Sequence, residues 1–265
     1  MSAITFRGPA LALSNDGLQK VASALNVGAA ELWTLLAVET SGCGFLSDRR
    51  PQILFERHIF HRLTDGSFDD GQISDPTPGG YGPRGAAQYD RLALAMTKNT
   101  DAALQSASWG IGQIMGMNYD KIGFQSVEQM VAAMVDSEDG QLSAIGAFLR
   151  STGLQLALQT HNWASFARGY NGPNYTVNRY DIKLNAEYQK YSSGALPDLS
   201  VRAAQLYLTY LGYHPGSIDG IAGDHTLSAL AQWQSDAGIH QTTVIDDDCV
   251  TQLCGALSRD SLAVA

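Results

Sequence analysis

The sequence predicts a mainly α-helical protein in two parts, a larger helical domain over residues 1–193 and a small three-helix domain over residues 196–257. Apolar residues recur every three or four positions along most of the chain, which is the spacing of amphipathic helices. A short polar joint, SSG at residues 192–194, separates two such series. The charge also changes there, because residues 196–257 contain seven aspartates against one arginine. These observations place the domain boundary at the joint.

Helical spacing begins near the N-terminal end of the larger domain. Leu18 and Val21 belong to a first predicted helix, which opens at the polar cap residues 14–16. A second helix is predicted over residues 29–40, where Ser41 and Gly42 end it. After a loop rich in Asp, Gly and Pro, further helices are predicted over residues 86–96, 102–106, 127–149, 154–160 and 180–191, with glycine-rich breaks at 110–116 and 169–173.

The small domain is predicted to contain three helices. They cover residues 200–211, 225–237 and 249–257, and a turn-rich loop at 212–223 joins the first two. Two of the chain's three cysteines, Cys249 and Cys254, lie in the last helix. The cysteines match no metal-binding spacing, so we interpret them as free thiols; a disulfide between these two requires a sharply bent chain.

Composition excludes several classes of function. The chain is 45% hydrophobic and 16% charged, as in folded soluble proteins. Its net charge of −9 argues against nucleic-acid binding, because phosphates are bound by clustered Lys and Arg. No apolar run approaches the roughly 20 residues of a membrane span, and the first ten residues lack the layout of a secretory signal. We therefore expect synthesis in the cytoplasm, no membrane insertion, no cofactor and a monomer.

Glu39 is the strongest candidate for a catalytic group. It stands near the end of the second predicted helix, with Leu35, Leu36 and Val38 as apolar neighbours. Burial raises the pKa of a carboxyl group, and a raised pKa suits a general acid. Glycoside hydrolysis needs such an acid to protonate the departing oxygen. A solvated glutamate at a helix end is the alternative, and spacing alone does not decide between them.

Three ordered blocks connect Glu39 with a known family. They are AVETSG at residues 37–42, SWGIGQIM at 108–115 and ARGYNGP at 167–173. In this order they resemble the signature blocks of the lysozyme and lytic-transglycosylase superfamily. The most similar pattern is that of the phage-type N-acetylmuramidases, in which a stretch like RPQILFERH at residues 50–58 follows the catalytic helix. The resemblance covers nearly all of the chain before Gly194 and implies a lysozyme-like catalytic domain.

The resemblance assigns roles to individual residues. It implies that Glu39 is the acid, that Gln113 lines the sugar groove, and that Tyr170 and Asn171 form the tyrosine-asparagine pair beside it. A phenol such as Tyr170 can orient the acid or stabilise charge on the sugar. Tyr119 is a second catalytic candidate of this kind. Trp109 and Glu56, which belong to the matching blocks, are assigned to substrate binding.

A second catalytic carboxylate is not evident, because no Asp stands at a fixed spacing after Glu39. An inverting enzyme requires a base roughly 6.5 to 9.5 Å from the acid. Without such a base, the acid acts with Tyr119 or Tyr170, or an intramolecular transglycosylation gives an anhydro product. Solvated loop carboxylates are the ordinary interpretation of the remaining candidates, Asp48, Asp65, Asp69, Asp70 and Asp75.

His58 and His61 stand close to Glu56, but this is not the helical spacing of a zinc site. No metal is therefore expected. A structural salt bridge of Glu56 with Arg57 or Arg62 is the ordinary interpretation.

The small domain resembles the widespread three-helix peptidoglycan-binding domain. The matching segments are VRAAQ at residues 201–205, LGY at 211–213, IDGIAG at 218–223 and AQWQ at 231–234. The apolar residues of these helices are explained by a helical core. Ligand contact is therefore assigned to polar loop residues, Tyr213 and Asp219 above all, with His225 beside them.

Together the two resemblances imply an endolysin that cleaves the β-1,4 bond between N-acetylmuramic acid and N-acetylglucosamine in peptidoglycan. A lytic transglycosylase and a catalytically inactive wall-binding protein remain as alternatives. The wall lies outside the membrane, so a separate holin is expected to release the enzyme from the host cytoplasm to the periplasmic wall. A single small binding domain fits a Gram-negative host.

Overall fold

The computed structural model describes residues 5–39 and 42–263, including their side chains except those of Glu39 and residues 258–263. Ten α-helices precede residue 194 in this part of the chain: α1 (Asn15–Leu25), α2 (Ala29–Glu39), α3 (Arg57–Leu63), α4 (Ala87–Met96), α5 (Thr100–Gln105), α6 (Val127–Asp136), α7 (Glu138–Ser151), α8 (Leu154–Gln159), α9 (Trp163–Asn171) and α10 (Tyr180–Ser193). Three follow it: α11 (Leu199–Tyr210), α12 (Asp224–Asp236) and α13 (Asp247–Ala263). The prediction of a mainly helical protein with a lysozyme-like part and a small helical part is confirmed.

One small antiparallel sheet interrupts the helices. Its strands β1 (Ile53–Phe55), β2 (Ala107–Trp109) and β3 (Ile114–Met115) lie in the order β1-β2-β3. The central pairing sets Leu54 opposite Ser108, and Ser108 opposite Met115. Strands of two or three residues are too short to show alternation, which is why the sequence did not predict them.

Local sequence explains where the first two helices begin and end. The Ser14 hydroxyl accepts a 2.9 Å hydrogen bond from the Gly17 amide and caps α1, as predicted. Helix α2 ends at Glu39, and Thr40 and Ser41, where the sequence predicted its stop, lie outside the described residues. Gly42 has a φ of +97°, in the region that favours glycine.

The prediction of one helix over residues 127–149 is wrong. The chain is extended at Ser137, with φ −160° and ψ 159°, which separates α6 from α7. The N-terminal segment inserts at this point: the Leu11 amide donates to the Asp136 carbonyl over 3.0 Å, and the Glu138 amide donates to Leu11 over 2.9 Å. The Ser137 hydroxyl then caps α7 by accepting from the Gly140 amide.

The glycine-rich break predicted at residues 169–173 also begins later than expected. Helix α9 continues through Gly169 to Asn171, and the backbone turns only at Gly172, with a φ of +84°. A Cβ atom at residue 169 would lie 2.3 Å from a methyl of Leu154. This glycine therefore permits close packing of α9 against α8 and does not break the helix.

Two hydrophobic clusters form the core. The first is built from the helices before residue 194 and from the sheet. The second is built from α11, α12 and α13, but it also contains Ala12 and Cys43 from the N-terminal part of the chain. The small helical unit is therefore packed directly against the larger one.

The three cysteines are free thiols, as interpreted from the sequence. Cys249 and Cys254 lie on the continuous helix α13, which lacks the bend that a disulfide between them requires. Within the described residues no single helix has the length and apolarity of a membrane span; α1 and α2 reach them only together, and they are bent by 105° to each other.

Candidate active site

A groove cavity of about 360 Å³ lies beside the small sheet. Strand β1 forms one wall, and the turn of residues 110–113, here called the glycine turn, forms another. The loop between α3 and α4 contributes Tyr81 and Arg84, and α10 contributes Tyr180. Cys43, four residues after Glu39, also lines it. The cavity therefore lies beside the segment that follows the helix with the predicted acid.

Gln113 lies in this cavity, and its amide holds the glycine turn together. Its Nε2 donates to the carbonyls of Gly110, over 2.8 Å, and Gln52, over 3.2 Å. Its Oε1 accepts a 2.8 Å hydrogen bond from the Ser108 hydroxyl. An amide group offers about four hydrogen-bonding positions. Most of this capacity is used within the protein, so Gln113 shapes the groove wall and has little left to offer a sugar.

Gln141, on α7, anchors two segments at the groove. It is 1% exposed, and its Oε1 accepts a 2.7 Å hydrogen bond from the Ile111 amide in the glycine turn. Its Nε2 donates to the Met134 carbonyl over 2.8 Å, and to Gly44 over 3.4 Å. Met134 is near the end of α6, where carbonyls lack helical partners. A single buried amide thus connects the glycine turn to the segment that follows Glu39.

Two glycines permit this close approach. A Cβ atom at Gly44 would lie 1.7 Å from Gln141 Oε1, and one at Gly110 would lie 2.5 Å from Gln141 Cδ. Gly110 also has a φ of +69°. Larger residues would displace the Gln141 amide and disturb the groove.

The segment of residues 42–44, here called the 42–44 segment, joins the groove to the rest of the protein. Gln52 binds this segment twice: its side-chain Nε2 donates to the Cys43 carbonyl over 2.9 Å, and its backbone amide donates to the Gly44 carbonyl over 2.8 Å. The Gln52 carbonyl in turn accepts a 2.8 Å hydrogen bond from the Gly110 amide. Gln52 therefore fixes the distance between this segment and the glycine turn.

Glu138, the first residue of α7, holds the same segment at the Gly44 amide. This fully buried carboxylate accepts a 2.8 Å hydrogen bond from the Gly44 amide and one of 2.9 Å from Leu13. It also forms a bidentate ion pair with Arg202 of α11, which is 2% exposed. Burial opposes its ionisation, but the charge and hydrogen bonds of Arg202 outweigh that effect and lower the pKa of Glu138.

Tyr170 contacts the glycine turn from α9. Its hydroxyl donates to the Gly112 carbonyl over 2.9 Å, and its ring stacks on Phe166 with centroids 5.6 Å apart. Asn171 ends the same helix and is half-buried. Tyr119 is half-buried against the main core, after the glycine turn. The side chain of Glu39 lies outside the described part, so catalytic roles for these residues remain predictions.

Trp109 lies in the core. It is fully buried, its Nε1 donates to the Leu104 carbonyl over 3.1 Å, and the ring of Phe6 stacks on it. A sugar cannot reach this ring without a rearrangement of the core. We therefore assign Trp109 a structural role as the end of β2 in place of the substrate contact that the sequence suggested.

Glu56 contacts Tyr81, one of the residues that line the groove cavity. The Glu56 carboxylate accepts a hydrogen bond from the Tyr81 phenol. The pKa of Tyr81 is raised, mainly by burial and secondly by this adjacent carboxylate. His58 Nδ1 lies 3.1 Å from Glu56 Oε2. The expected salt bridge of Glu56 with an arginine is wrong, because Arg57 pairs with Asp75 over 3.3 Å. The other expected partner, Arg62, donates to the sulfur of Met117.

The loop aspartates are engaged away from the groove cavity. Asp48 accepts a 2.7 Å hydrogen bond from Arg50 Nε, and Asp69 lies 2.7 Å from His61 Nδ1. Asp70 accepts hydrogen bonds from the backbone amides of the same loop. Burial opposes ionisation of Asp48, but hydrogen bonds from Arg50 outweigh it and lower its pKa. Among the described residues that line the cavity there is no Asp or Glu.

In the small helical unit, Asp219 and Gln205 organise the loop of residues 212–223, which carries the predicted ligand contacts and is here called the binding loop. Asp219 Oδ1 accepts hydrogen bonds from Gln205 Nε2, over 3.1 Å, and from the Ile221 amide, over 3.0 Å. Gln205 is 1% exposed, and its Oε1 accepts hydrogen bonds from the amides of Asp219 and Gly220. Tyr213 donates to Asp236 over 3.0 Å. Asp219 thus has a structural function in the loop, and its contact with a ligand remains a prediction.

Comparison with known proteins agrees with this geometry. Residues 28–192 match the family model for N-acetylmuramidase, a span that includes α2 and the groove cavity. The chain belongs to the N-acetylmuramidase family. Residues 198–253 of this muramidase match the model for a peptidoglycan-binding domain. It is therefore a peptidoglycan hydrolase with a wall-binding unit.

A solved structure is similar to this muramidase over most of its length. The crystal structure of the Burkholderia AP3 phage endolysin is 38% identical, with a TM-score of 0.65. The similarity covers 71% of this chain and 73% of that chain. No curated protein is significantly similar to the muramidase.

Sequence reasoning missed several residues of this site: Gln52, Tyr81, Glu138, Gln141, Tyr180 and Arg202. One signal was available, because Glu138 and Gln141 lie one helical turn apart within the predicted helix of residues 127–149 and so share one of its faces. Nothing in the sequence indicated that Arg202, more than sixty residues further along the chain, would be the partner of Glu138.

Proposed function

We propose that this muramidase is an endolysin that hydrolyses the β-1,4 bond between N-acetylmuramic acid and N-acetylglucosamine. Glu39 donates a proton to the glycosidic oxygen while the bond to the anomeric carbon breaks. A water molecule then adds its oxygen to the anomeric carbon and returns a proton. The observation that carries the proposal is the position of the groove cavity, which lies between the glycine turn and the segment that follows Glu39.

A lytic transglycosylase is the second candidate, and one observation favours it. The described residues that line the groove cavity offer no second carboxylate to activate a water molecule. A hydroxyl of the muramic acid itself then attacks the anomeric carbon, forms an anhydro ring and returns its proton to the Glu39 carboxylate. Hydrolysis with a single acid assisted by Tyr119 or Tyr170 is the competing outcome.

The test is Glu39→Gln, compared with the parent on purified peptidoglycan, with identification of the sugar ends released. We expect the variant to lose at least a hundredfold in rate, about the contribution of a positioned general acid. Glu128→Gln makes the same chemical change at an exposed position of α6 and is expected to retain parental activity. Reducing muramic-acid ends identify a hydrolase, whereas anhydro ends identify a transglycosylase. If Glu39→Gln cleaves as fast as the parent, the assignment of the acid is wrong.

We further propose that the enzyme lyses its host from within, after a separate holin admits it from the cytoplasm to the periplasmic wall. Its similarity to a phage endolysin supports this. Expression in a Gram-negative bacterium should cause lysis only when a pore-forming protein is co-expressed. Lysis without the pore, at equal enzyme levels, would contradict the proposal.

A further inference from the structure

Arg202 belongs to the wall-binding unit, but its guanidinium group lies against the catalytic unit. It is carried by α11, and its side chain is 2% exposed. Nη1 and Nη2 both bind Glu138 of α7, and Nη2 also donates to the Gly42 carbonyl over 2.9 Å. One planar group therefore contacts a carboxylate and the backbone of the 42–44 segment at once.

The carboxylate of Glu138 completes this arrangement. Oε1, which faces Arg202 Nη2 at 2.9 Å, also accepts the hydrogen bond from the Gly44 amide over 2.8 Å. The 42–44 segment is thus held at both ends, at Gly42 by Arg202 directly and at Gly44 through Glu138. Only residues 40 and 41 separate this segment from Glu39. Its position therefore restricts where the end of α2, and with it the acid, can lie.

Stability alone is a weak explanation for a buried ion pair. Removing two charges from water is costly, and replacing such pairs with apolar residues is often neutral or stabilising. The benefit of a bidentate guanidinium is positional, because its fixed fork accepts only one arrangement of partners. A positional function is therefore the better account of why the two units meet through this contact.

A second cavity adjoins the same contact. Its volume is about 230 Å³, and it is lined by Gly42 and Arg202 together with Leu36 of α2 and Asp219 of the binding loop. Gly42 lines this second cavity, and the next residue, Cys43, lines the groove cavity. The 42–44 segment thus stands between the groove and the wall-binding unit.

We propose that Arg202 is a positioning residue for the reaction: through Gly42 and Glu138 it fixes the 42–44 segment and thereby the acid, so that the wall-binding unit completes the active site. This inference rests on the proposed function of Glu39. It predicts that the unit raises the catalytic rate even on substrates that need no attachment to the wall.

The test is Arg202→Lys, which keeps the charge and removes the fork. On soluble peptidoglycan oligosaccharides we expect kcat to fall by about tenfold to a hundredfold, the effect of a small misplacement of a catalytic group. KM should change by less than about twofold, because the groove residues are intact. Hydrogen exchange at the Gly44 amide should become faster, while exchange at the Ile111 amide, which binds Gln141, should not change.

Tyr210→Phe is the matched control. The Tyr210 hydroxyl donates its hydrogen bond to the Ala10 carbonyl over 3.1 Å, which is also a hydrogen bond between the units, and not to the 42–44 segment. This variant should retain the parental kcat. An equal loss in both variants would show that any weakening of the interface lowers the rate, and would overturn a specific function for Arg202.

A double variant, Glu138→Gln with Arg202→Met, keeps the test decisive if the lysine variant does not fold, because it leaves no unpaired buried charge. We expect it to fold, as judged by circular dichroism, and to lose kcat as Arg202→Lys does. Parental kcat in either folded variant overturns the inference, while the loss of activity in Glu39→Gln still supports the proposed function. An inactive parent, or an active Glu39→Gln variant, removes the basis of both.

Discussion

Gln141→Met removes the amide that connects the glycine turn with the 42–44 segment. Methionine has a similar length and no strong hydrogen-bonding atoms, so the packing of α7 is largely kept. In the parent, the Ile111 amide lies 2.7 Å from Gln141 Oε1 and the Met134 carbonyl lies 2.8 Å from Gln141 Nε2, and Gln141 is 1% exposed. The change leaves both backbone groups without these partners. The weaker 3.4 Å contact with Gly44 is lost as well.

The magnitude follows from these two strong hydrogen bonds. A buried polar group left without a partner costs about 1 to 3 kcal/mol. Two such groups predict a loss of roughly 2 to 6 kcal/mol in the free energy of unfolding, reduced where water enters the site. Since the glycine turn forms one wall of the groove cavity, kcat/KM on peptidoglycan should fall by about tenfold or more.

Urea unfolding followed by circular dichroism measures the first effect as a lower midpoint at an unchanged slope. Gln189→Met is the control, because Gln189 is an exposed residue of α10, and its substitution should stay within about 0.5 kcal/mol of the parent. If Gln141→Met unfolds at the parental midpoint, the buried amide does not support the groove, and the reasoning from these distances is refuted.

Two further predictions concern the same site. Tyr170→Phe removes the hydroxyl that donates to the Gly112 carbonyl and should lower the free energy of unfolding by about 1 kcal/mol. Measurement of kcat shows whether the hydroxyl also acts in the reaction, since loss of a catalytic phenol lowers kcat far more than loss of a structural one. The pKa of Glu138 is lower in the folded protein than in the unfolded chain. The ion pair therefore contributes its full stability at a pH above the ordinary pKa of a glutamate. This contribution is lost as the pH falls through the folded-state pKa, because the unfolded chain binds the proton more readily. Unfolding of the parent should therefore depend more steeply on acidic pH than unfolding of the Glu138→Gln, Arg202→Met variant, and equal pH dependence would contradict the assignment.

Elements with strong local signals could be predicted from the sequence. Ser14 caps α1 as its position suggests, and α2 ends at Glu39. The resemblance of the three blocks identified the family and the order of its two units. In these cases the deciding interactions lie within one or two helical turns, where spacing and capping residues are informative.

The parts that could not be predicted depend on contacts between distant residues. Ser137 separates two helices because Leu11 pairs with the backbone on either side of it, and no local propensity records that contact. Trp109 stands in a block that lines the groove, but its side chain points into the core because of its position in β2. The role of Gln113 also changed, since its amide is occupied by the turn that holds it.

The contact between Arg202 and Glu138 has a consequence for exchanging wall-binding modules between lytic enzymes. A module joined by a flexible tether can be replaced freely, because it supplies only a high local concentration. Here a foreign module brings no guanidinium at the required place, and the carboxylate that it leaves behind is buried without a counterion. A chimera built by cutting at residue 194 is therefore expected to need either the parental α11 or an uncharged residue at position 138 before it can be compared fairly with the natural enzyme.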